Sequence, residues 1–240
     1  MAVFVRLRGL SDYAAVHRLQ AELVEARAAG AIPDVVLLLE HEEVITLGRS
    51  KGAEASVLDA GDLPVVPIER GGDATWHGPG QLVAYPIVKL EGRRADLHLH
   101  LHSLEDAVMV WLVDVGLEGH RDARNTGVWL TADGVSRKVC SIGIACRRWV
   151  SWHGLALNLD PDPAGFARIR PCGFTSDVMT RVVDHLDQAP SVAASMPALA
   201  RHLADALEVS FDGDIVAVDG PDDVLPLLRS SSVRPFATLG

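Results

Sequence analysis

The sequence predicts a mixed α/β fold in which strands and helices alternate along the chain. Its 240 residues lie near the upper end of one ordinary domain, and length alone leaves one or two domains open. Apolar residues make up 48% and charged residues 22%, which is typical of a globular protein with a sizeable core. Because no repeat, low-complexity block or Ser/Gly/Pro-rich linker divides the chain, Leu37 through Leu159 are predicted to form one body.

The first third of the chain contains strands and one helix. Val3–Arg8 predicts the first strand, and apolar residues at helical spacing then predict a helix that Ser11 caps and Gly30 ends. Four further apolar segments predict strands: Val35–Leu39, Val44–Leu47, Val65–Ile68 and Leu82–Val88.

The remainder of the chain repeats this alternation. Apolar residues that step by three or four predict a long helix near Leu97–Val115. Residues from about Phe211 onward have weak periodicity and are left unassigned. The other predicted elements are strands at Gly127–Leu130, Val139–Ala145 and Ser151–Leu159, and helices at Ser176–Leu186 and at Pro197–Leu207 with Ser195 near its N-cap.

Composition excludes several classes of protein. The longest apolar run, Ala107–Val113, is far too short to span a bilayer, and the N-terminus shows no export signal. A net charge of −10 argues against a general nucleic-acid binder, which needs clustered cations. The odd count of 3 cysteines indicates reduced thiols rather than a disulfide framework. The sequence therefore predicts a cytoplasmic protein without a membrane span.

The most unusual segment is Arg70-Gly-Gly-Asp-Ala-Thr-Trp-His-Gly-Pro-Gly-Gln81, between two predicted strands. Its glycines let the backbone approach a ligand closely and expose N–H groups. It is neither a Walker A loop nor a dinucleotide fingerprint, because the Lys-Ser/Thr and helix-opening glycine patterns are missing. On residues alone, a ligand-binding segment and a plain tight loop both remain open.

Cys172 is the cysteine whose surroundings favour chemistry. It lies between Pro171 and Gly173, just before a predicted helix start at Thr175–Ser176, where a helix dipole would lower a thiol pKa. The alternative is a buried and inert thiol. Cys140 and Cys146 lie inside strand-like runs and fit that inert role better.

Lys138 is the candidate partner for a cysteine nucleophile. It precedes an apolar strand, where a lysine either reaches solvent at the strand end or supplies a desolvated ammonium beside a thiol. His153 and His77 are the rival bases. The His98-Leu-His-Leu-His102 series does not predict a metal site, because residues two apart on a helix point away from each other.

Taken together, these motifs resemble the lipoyl(octanoyl) transferase family. The resemblance spans about residues 35–175, with the motifs in the family's order. The matching blocks are Leu39–Arg49, Arg70–Gln81 with Tyr85–Ile87, Gly127–Trp129, Lys138 with Ser141–Gly143, His153–Asn158 and Pro171–Gly173.

The resemblance implies a central mixed sheet flanked by helices, like the catalytic fold of biotin and lipoate protein ligases. It makes Cys172 the acyl-carrying nucleophile and Lys138 the residue that lowers the thiol pKa and moves protons, with His153 in support and no metal or other cofactor. The implied substrate-binding residues are Arg70, Gly71, Gly72, Asp73, Ala74, Thr75, Trp76, His77, Ser141, Ile142, Gly143, Gly154, Leu155 and Ala156.

The implied reaction moves an octanoyl group from octanoyl-acyl carrier protein to a lysine of lipoyl domains, through a cysteine thioester. The implied acceptors are the lipoyl domains of 2-oxoacid dehydrogenase E2 subunits and the glycine cleavage H protein, with no role for nucleic acid or membrane. An ATP-dependent lipoate or biotin ligase and a lipoyl-protein to lipoyl-protein amidotransferase are the alternatives. Residues 1–210 are expected to form the catalytic domain, and residues 211–240 an extension packed on it.

The acidic net charge also makes a prediction about docking. Acyl carrier proteins are typically acidic, so an acidic enzyme needs a local basic patch to bind one. The candidates near the matching blocks are Arg49, Lys51, Arg147, Arg148, Arg168 and Arg170.

Overall fold

The computed structural model describes residues 1–123, 125–170 and 175–230. The strands in this part of the chain are β1 (Ala2–Ser11), β2 (Asp34–His41), β3 (Val44–Leu47), β4 (Val65–Pro67), β5 (Ala74–His77), β6 (Gln81–Ile87), β7 (Gly119–Asp122), β8 (Asn125–Ala132), β9 (Val135–Arg147), β10 (Val150–Asn158) and β11 (Ile215–Val218). The α-helices are α1 (Tyr13–Ala28), α2 (Leu97–Asp114), α3 (Pro163–Phe166), α4 (Val192–Ala206) and α5 (Val224–Arg229).

A large mixed sheet forms the centre of the fold. Across the described residues its strand order is β11-β1-β2-β6-β10-β9-β8-β7. β1 pairs in parallel with β2 and β11, whereas the strands from β2 through β6, β10, β9, β8 and β7 pair antiparallel. This confirms the predicted central mixed sheet.

Helices cover both faces of the sheet because its central strands are apolar on both sides. Along β2, Val36 and Leu38 pack into the core formed with α2 and α4, while Val35 and Leu37 pack into the core formed with α1. Every residue of β6 and β10 is buried. Such continuous burial is typical of strands between two helical layers. No helix in the described ranges combines the length and apolar character needed to cross a membrane.

A small second sheet lies beside the large one and carries the glycine-rich segment. β3 pairs in parallel with β4 and antiparallel with β5. Beneath it, the indole of Trp76 packs edge-to-face against Phe166 of α3, with ring centroids 5.1 Å apart. This separate core holds the start of β5 in place, directly after the Arg70–Asp73 loop.

The predicted helix at Ser176–Leu186 is wrong. The structure has only two single 3₁₀ turns in this region, at Ser176–Val178 and Val182–Asp184. The backbone of this segment hydrogen-bonds to the main sheet instead, where the Thr180 N–H donates to the Lys138 carbonyl of β9 at 2.9 Å. The α-helix whose dipole was expected to lower the Cys172 thiol pKa is therefore absent from residues 176–186.

Two helix starts also differ from the prediction. Asp12, not Ser11, caps α1, since its carboxylate accepts the Ala15 N–H at 2.8 Å. α4 begins at Val192 with Ser191 as its cap, and Ser195 instead lies buried inside the helix. Asp12 is adjacent to Ser11, and Ser191 precedes Ser195 in the same segment. Each has about the capping propensity of the residue that was predicted, so sequence alone did not separate the candidates.

The C-terminal part of the chain, left unassigned from the sequence, joins the main sheet. β11 pairs with β1 over Phe4–Leu7, and α5 places Val224 and Leu228 in the core beside α1. A domain boundary at residue 210 remains a prediction.

Candidate active site

A cavity of about 650 Å³ opens between the glycine-rich segment and strands β9 and β10. Its volume lies within the range of small-molecule sites. It collects residues that are distant in sequence because β9 and β10 pair with Gly154 opposite Gly143. Of the sequence-predicted site residues, those that line it are Arg70–Thr75, His77, Lys138, Ser141–Gly143 and His153–Ala156.

Backbone hydrogen bonds hold the Arg70–Asp73 loop on both sides. The Gly71 N–H donates to the Ile144 carbonyl of β9 at 3.0 Å, and the Gly72 carbonyl accepts the Ser50 N–H at 3.0 Å. The loop is therefore suspended between β9 and the segment that follows β3. Since the Gly71 N–H is already bonded, it is not available to stabilise an oxyanion.

Arg70 is nine-tenths buried at the wall of the cavity. Its Nη2 donates to the carbonyl oxygen of Thr46 at 3.0 Å and to the Thr46 hydroxyl at 3.1 Å. Gly143 makes room for this side chain, because a Cβ on Gly143 would lie 2.9 Å from the Arg70 Cδ. The fit explains why a small residue stands at this position of β9.

Trp76 is the predicted binding residue that does not line the cavity. Its ring is fully buried in the core under the small sheet, against Phe166. Strand alternation separates it from Thr75 and His77, which do face the cavity. Its contribution is to support the loop from behind.

Lys138 lies inside the protein, which argues against a side chain that reaches solvent. It is only 6% exposed, and its Nζ donates to Asn125 Oδ1 at 2.7 Å and to the Thr126 carbonyl at 2.8 Å. The ammonium also lies 5.1 Å from the centre of the Trp129 ring, within cation–π range. These contacts place a positive charge at a defined point of the cavity wall.

Glu105 of α2 fixes the segment that holds the lysine. Its buried carboxylate accepts the Gly127 N–H at 3.0 Å and forms an ion pair with Arg121 at 2.6 Å. Gly127 adopts φ = 128°, and a Cβ there would lie 2.3 Å from the Cys140 carbonyl oxygen. Sequence reasoning missed Glu105 and Asn125. The sequence offered one signal for Glu105: it is a carboxylate among the buried positions of a predicted helix.

The cysteines differ sharply in environment. Cys172 belongs to residues 171–174, which lie outside the described residues. Cys140 is fully buried among apolar side chains of the sheet, and burial raises the pKa of its thiol well above the usual range. Burial also raises the pKa of the half-buried Cys146 thiol. Both thiols are therefore held protonated, as the predicted packing role requires.

The rival bases are buried neutral imidazoles. Burial lowers the pKa of His77 to about 3 and that of His153 to about 3. His77 Nδ1 contacts the Gln81 amide oxygen at 3.1 Å, and burial likewise lowers the pKa of the adjacent His41 to about 4. Imidazoles with such low pKa values are poor proton acceptors near neutral pH.

The histidines of α2 do not gather around one point. His102 Nδ1 contacts Glu105 at 2.9 Å, whereas His100 is buried and His98 is exposed. Within the described residues they form no cluster of potential metal ligands. A cluster of that kind lies elsewhere, at His17, Glu69 and His153.

The chain matches one family of known proteins. The model of the lipoyl protein ligase A/B catalytic domain matches residues 12–204. The chain therefore belongs to this family, as the sequence motifs predicted.

Two relatives make the position within the family more specific. An octanoyltransferase from Gloeobacter violaceus is 47% identical over 171 residues, which is 71% of this chain and 75% of that protein. An octanoyltransferase from Syntrophotalea carbinolica is 43% identical over 200 residues, covering 83% of this chain and 92% of that protein.

A solved structure supports the fold. It describes an archaeal lipoylation system from Thermoplasma acidophilum, a bipartite lipoate protein ligase and its E2 lipoyl domain. The matched chain superposes with a TM-score of 0.69 at 15% identity, covering 99% of this chain and 100% of that chain. At this identity the likeness concerns the fold alone.

Proposed function

We propose that this protein transfers an octanoyl group from octanoyl-acyl carrier protein to a lysine of a lipoyl domain, with Cys172 as nucleophile and Lys138 as its partner. The observation that carries the proposal is the cavity itself. It unites a buried ammonium with three segments that resemble the acyl-binding segments of the octanoyltransferases. The relatives at 43–47% identity are octanoyltransferases, which supports the same reaction.

The first step forms the acyl-enzyme. The Lys138 ammonium stabilises the Cys172 thiolate, which attacks the octanoyl thioester carbonyl. The carbon–sulfur bond to the carrier then breaks, and the Lys138 ammonium donates its proton to the leaving carrier thiolate. A thioester is already activated, so this chemistry needs no nucleotide.

The second step forms the amide. The neutral amine of the lipoyl-domain lysine attacks the acyl-enzyme carbonyl, and Lys138, now neutral, takes the excess proton from the attacking nitrogen. The carbon–sulfur bond to Cys172 breaks and restores the thiolate beside the ammonium. Asn125 and the Thr126 carbonyl support this exchange, because they hold the Lys138 Nζ in one place through both steps.

The cavity walls offer a place for the acyl chain. Ile142 and Leu155 stand opposite each other on β9 and β10, and both line the cavity. Burial of each methylene of an alkyl chain contributes roughly 0.8 kcal/mol. Leu155→Asn should therefore weaken octanoyl binding far more than acetyl binding.

The decisive experiment supplies octanoyl-acyl carrier protein and a lipoyl domain to wild type, Cys172→Ala and Cys146→Ala proteins. We expect octanoylated lipoyl domain from wild type and Cys146→Ala, and none from Cys172→Ala. Product formed at the wild-type rate by Cys172→Ala would overturn the proposed nucleophile.

Changing the donor tests the proposed substrate. Product from free octanoate with ATP, but none from the carrier thioester, would mean a ligase. Product obtained only from an octanoylated lipoyl protein would mean an amidotransferase.

A further inference from the structure

A compact group of metal-ligand side chains lies behind the substrate loop, and nothing in the proposed acyl transfer uses it as such. His17 Nε2 lies 2.9 Å from Glu69 Oε2, and His153 Nε2 lies 3.7 Å from the same oxygen. The ligand atoms of all three side chains lie within 4.8 Å of one another. The group joins α1, the residue before the Arg70 loop, and β10.

His153 is the member that points to a ligand. The residue is only 2% exposed, yet neither ring nitrogen has a hydrogen-bond partner among the described residues. A buried imidazole without a hydrogen-bond partner is destabilising, because on folding it loses its hydrogen bonds to water and gains none from the protein. The backbone of His153 is also fixed, since it has φ = 57° and its main-chain N–H donates to the Gln20 amide oxygen at 2.9 Å.

Aromatic packing restricts the two imidazoles further. Trp152 stacks on His153 with ring centroids 4.4 Å apart and on His17 at 5.6 Å. The side chains of His17 and Glu69 are 22% and 40% exposed, so the group is open to solvent on one side. A small ion can therefore enter the group from solvent past His17 and Glu69, while the buried His153 forms its inner end.

The spacing suits a tetrahedral divalent cation. Two ligand atoms at zinc-bond distance lie roughly 3.3 Å apart across a tetrahedral ion, and the observed 2.9 and 3.7 Å bracket that separation. Two imidazoles with one carboxylate form a ligand set that zinc accepts, with a fourth position left for water. We propose that His17, Glu69 and His153 form a divalent-cation site suited to zinc.

The position of the site gives it a structural consequence. Glu69 directly precedes Arg70, and His153 directly precedes Gly154, so the ion would tie two cavity-lining segments to α1. The neighbouring Arg70 charge opposes a second cation. We therefore expect weaker binding than at a structural site with four protein ligands.

The test measures metal binding directly, on full-length protein purified without a polyhistidine tag. Chelator-treated protein is titrated with ZnCl₂ by calorimetry, and Co²⁺ loading is followed by its visible absorption. We expect one equivalent of zinc, a tetrahedral Co²⁺ spectrum and a rise in the thermal midpoint. In Glu69→Gln and His17→Gln the affinity should fall at least about tenfold.

Both variants change partly exposed side chains, so they should fold. His202→Gln is the matched control, because His202 also bonds a carboxylate, Asp114 at 2.6 Å, but belongs to no three-ligand group of described residues. It should bind zinc like wild type. Failure of wild type to bind zinc, or equal binding by Glu69→Gln, would overturn the site. Either result would leave the acyl-transfer proposal untouched.

Discussion

Acidification should destabilise this protein through histidines that the fold keeps neutral. His41, His77 and His100 are almost fully buried, and burial lowers their pKa values from 6.5 to about 4, 3 and 4 respectively. Because these values lie below that of the unfolded chain, the unfolded state binds more protons between them. Stability is therefore fully present above pH 6.5 and falls as the pH drops toward 4.

The magnitude follows from the same values. At about pH 5.5 each of these histidines is mostly protonated in the unfolded chain and neutral in the folded protein, which lowers the unfolding free energy by on the order of 1 kcal/mol per residue. Together the three lower the unfolding free energy by a few kcal/mol between pH 8 and about pH 5.5, a large share of ordinary domain stability.

Urea unfolding at pH 8 and about pH 5.5, followed by tryptophan fluorescence, measures this difference. His100→Gln should reduce the pH-dependent loss by on the order of 1 kcal/mol, since it removes one of the neutral imidazoles. His98→Gln is the matched control, because His98 is exposed on the same helix and should leave the loss unchanged. An equal loss of stability in wild type and His100→Gln would refute the reasoning.

Three further changes test the cavity and its approach. Asn125→Ala removes a hydrogen bond to the ammonium of Lys138, the proposed partner of Cys172, and should lower kcat about tenfold or more, with little change in KM; an unchanged kcat would contradict this role. Gly143→Ala pushes against Arg70 and should raise KM for the donor, as steady-state kinetics will show; an unaltered KM would contradict it. Arg49→Glu with Lys51→Glu should lower kcat/KM for carrier protein, most at low salt; salt-independent, wild-type turnover would exclude these charges.

The last of these predictions has a control in the same protein. Arg147 and Arg148 were equal candidates for the basic patch, but both bond to Glu25 of α1, at 3.1 and 2.9 Å. Arg49 and Lys51 instead flank Ser50, which lines the cavity. Charge reversal at Arg147 and Arg148 should therefore change carrier turnover much less.

Much of the site could be predicted from sequence because short motifs indicate which segments line the cavity. The glycine-rich segment and the Ser141–Gly143 block were both predicted to bind substrate, and the hydrogen bond from the Gly71 N–H to the Ile144 carbonyl of β9 brings them together. Trp76 was misplaced because a motif does not say which face of a strand each residue takes. Strand alternation assigns it to the core instead.

Contacts between segments that are distant in the chain could not be predicted from the sequence. Glu105 and Asn125 act on Lys138 only because α2 and β8 pack beside β9. The group at His17, Glu69 and His153 comes from three separate elements, so no spacing could reveal it. The helix predicted at Ser176–Leu186 does not form, because backbone N–H groups of this segment donate to the carbonyls of Lys138 in β9 and of Leu159. These tertiary hydrogen bonds override the apolar periodicity that predicted the helix.

Intact mass spectrometry tests the proposed thioester most directly. The protein is mixed with octanoyl-acyl carrier protein without a lipoyl domain, and Lys138→Ala and Cys172→Ala are measured beside wild type. We expect one octanoyl group on wild type that hydroxylamine removes, a slower adduct on Lys138→Ala, and none on Cys172→Ala. An adduct on Cys172→Ala equal to that of wild type would contradict it.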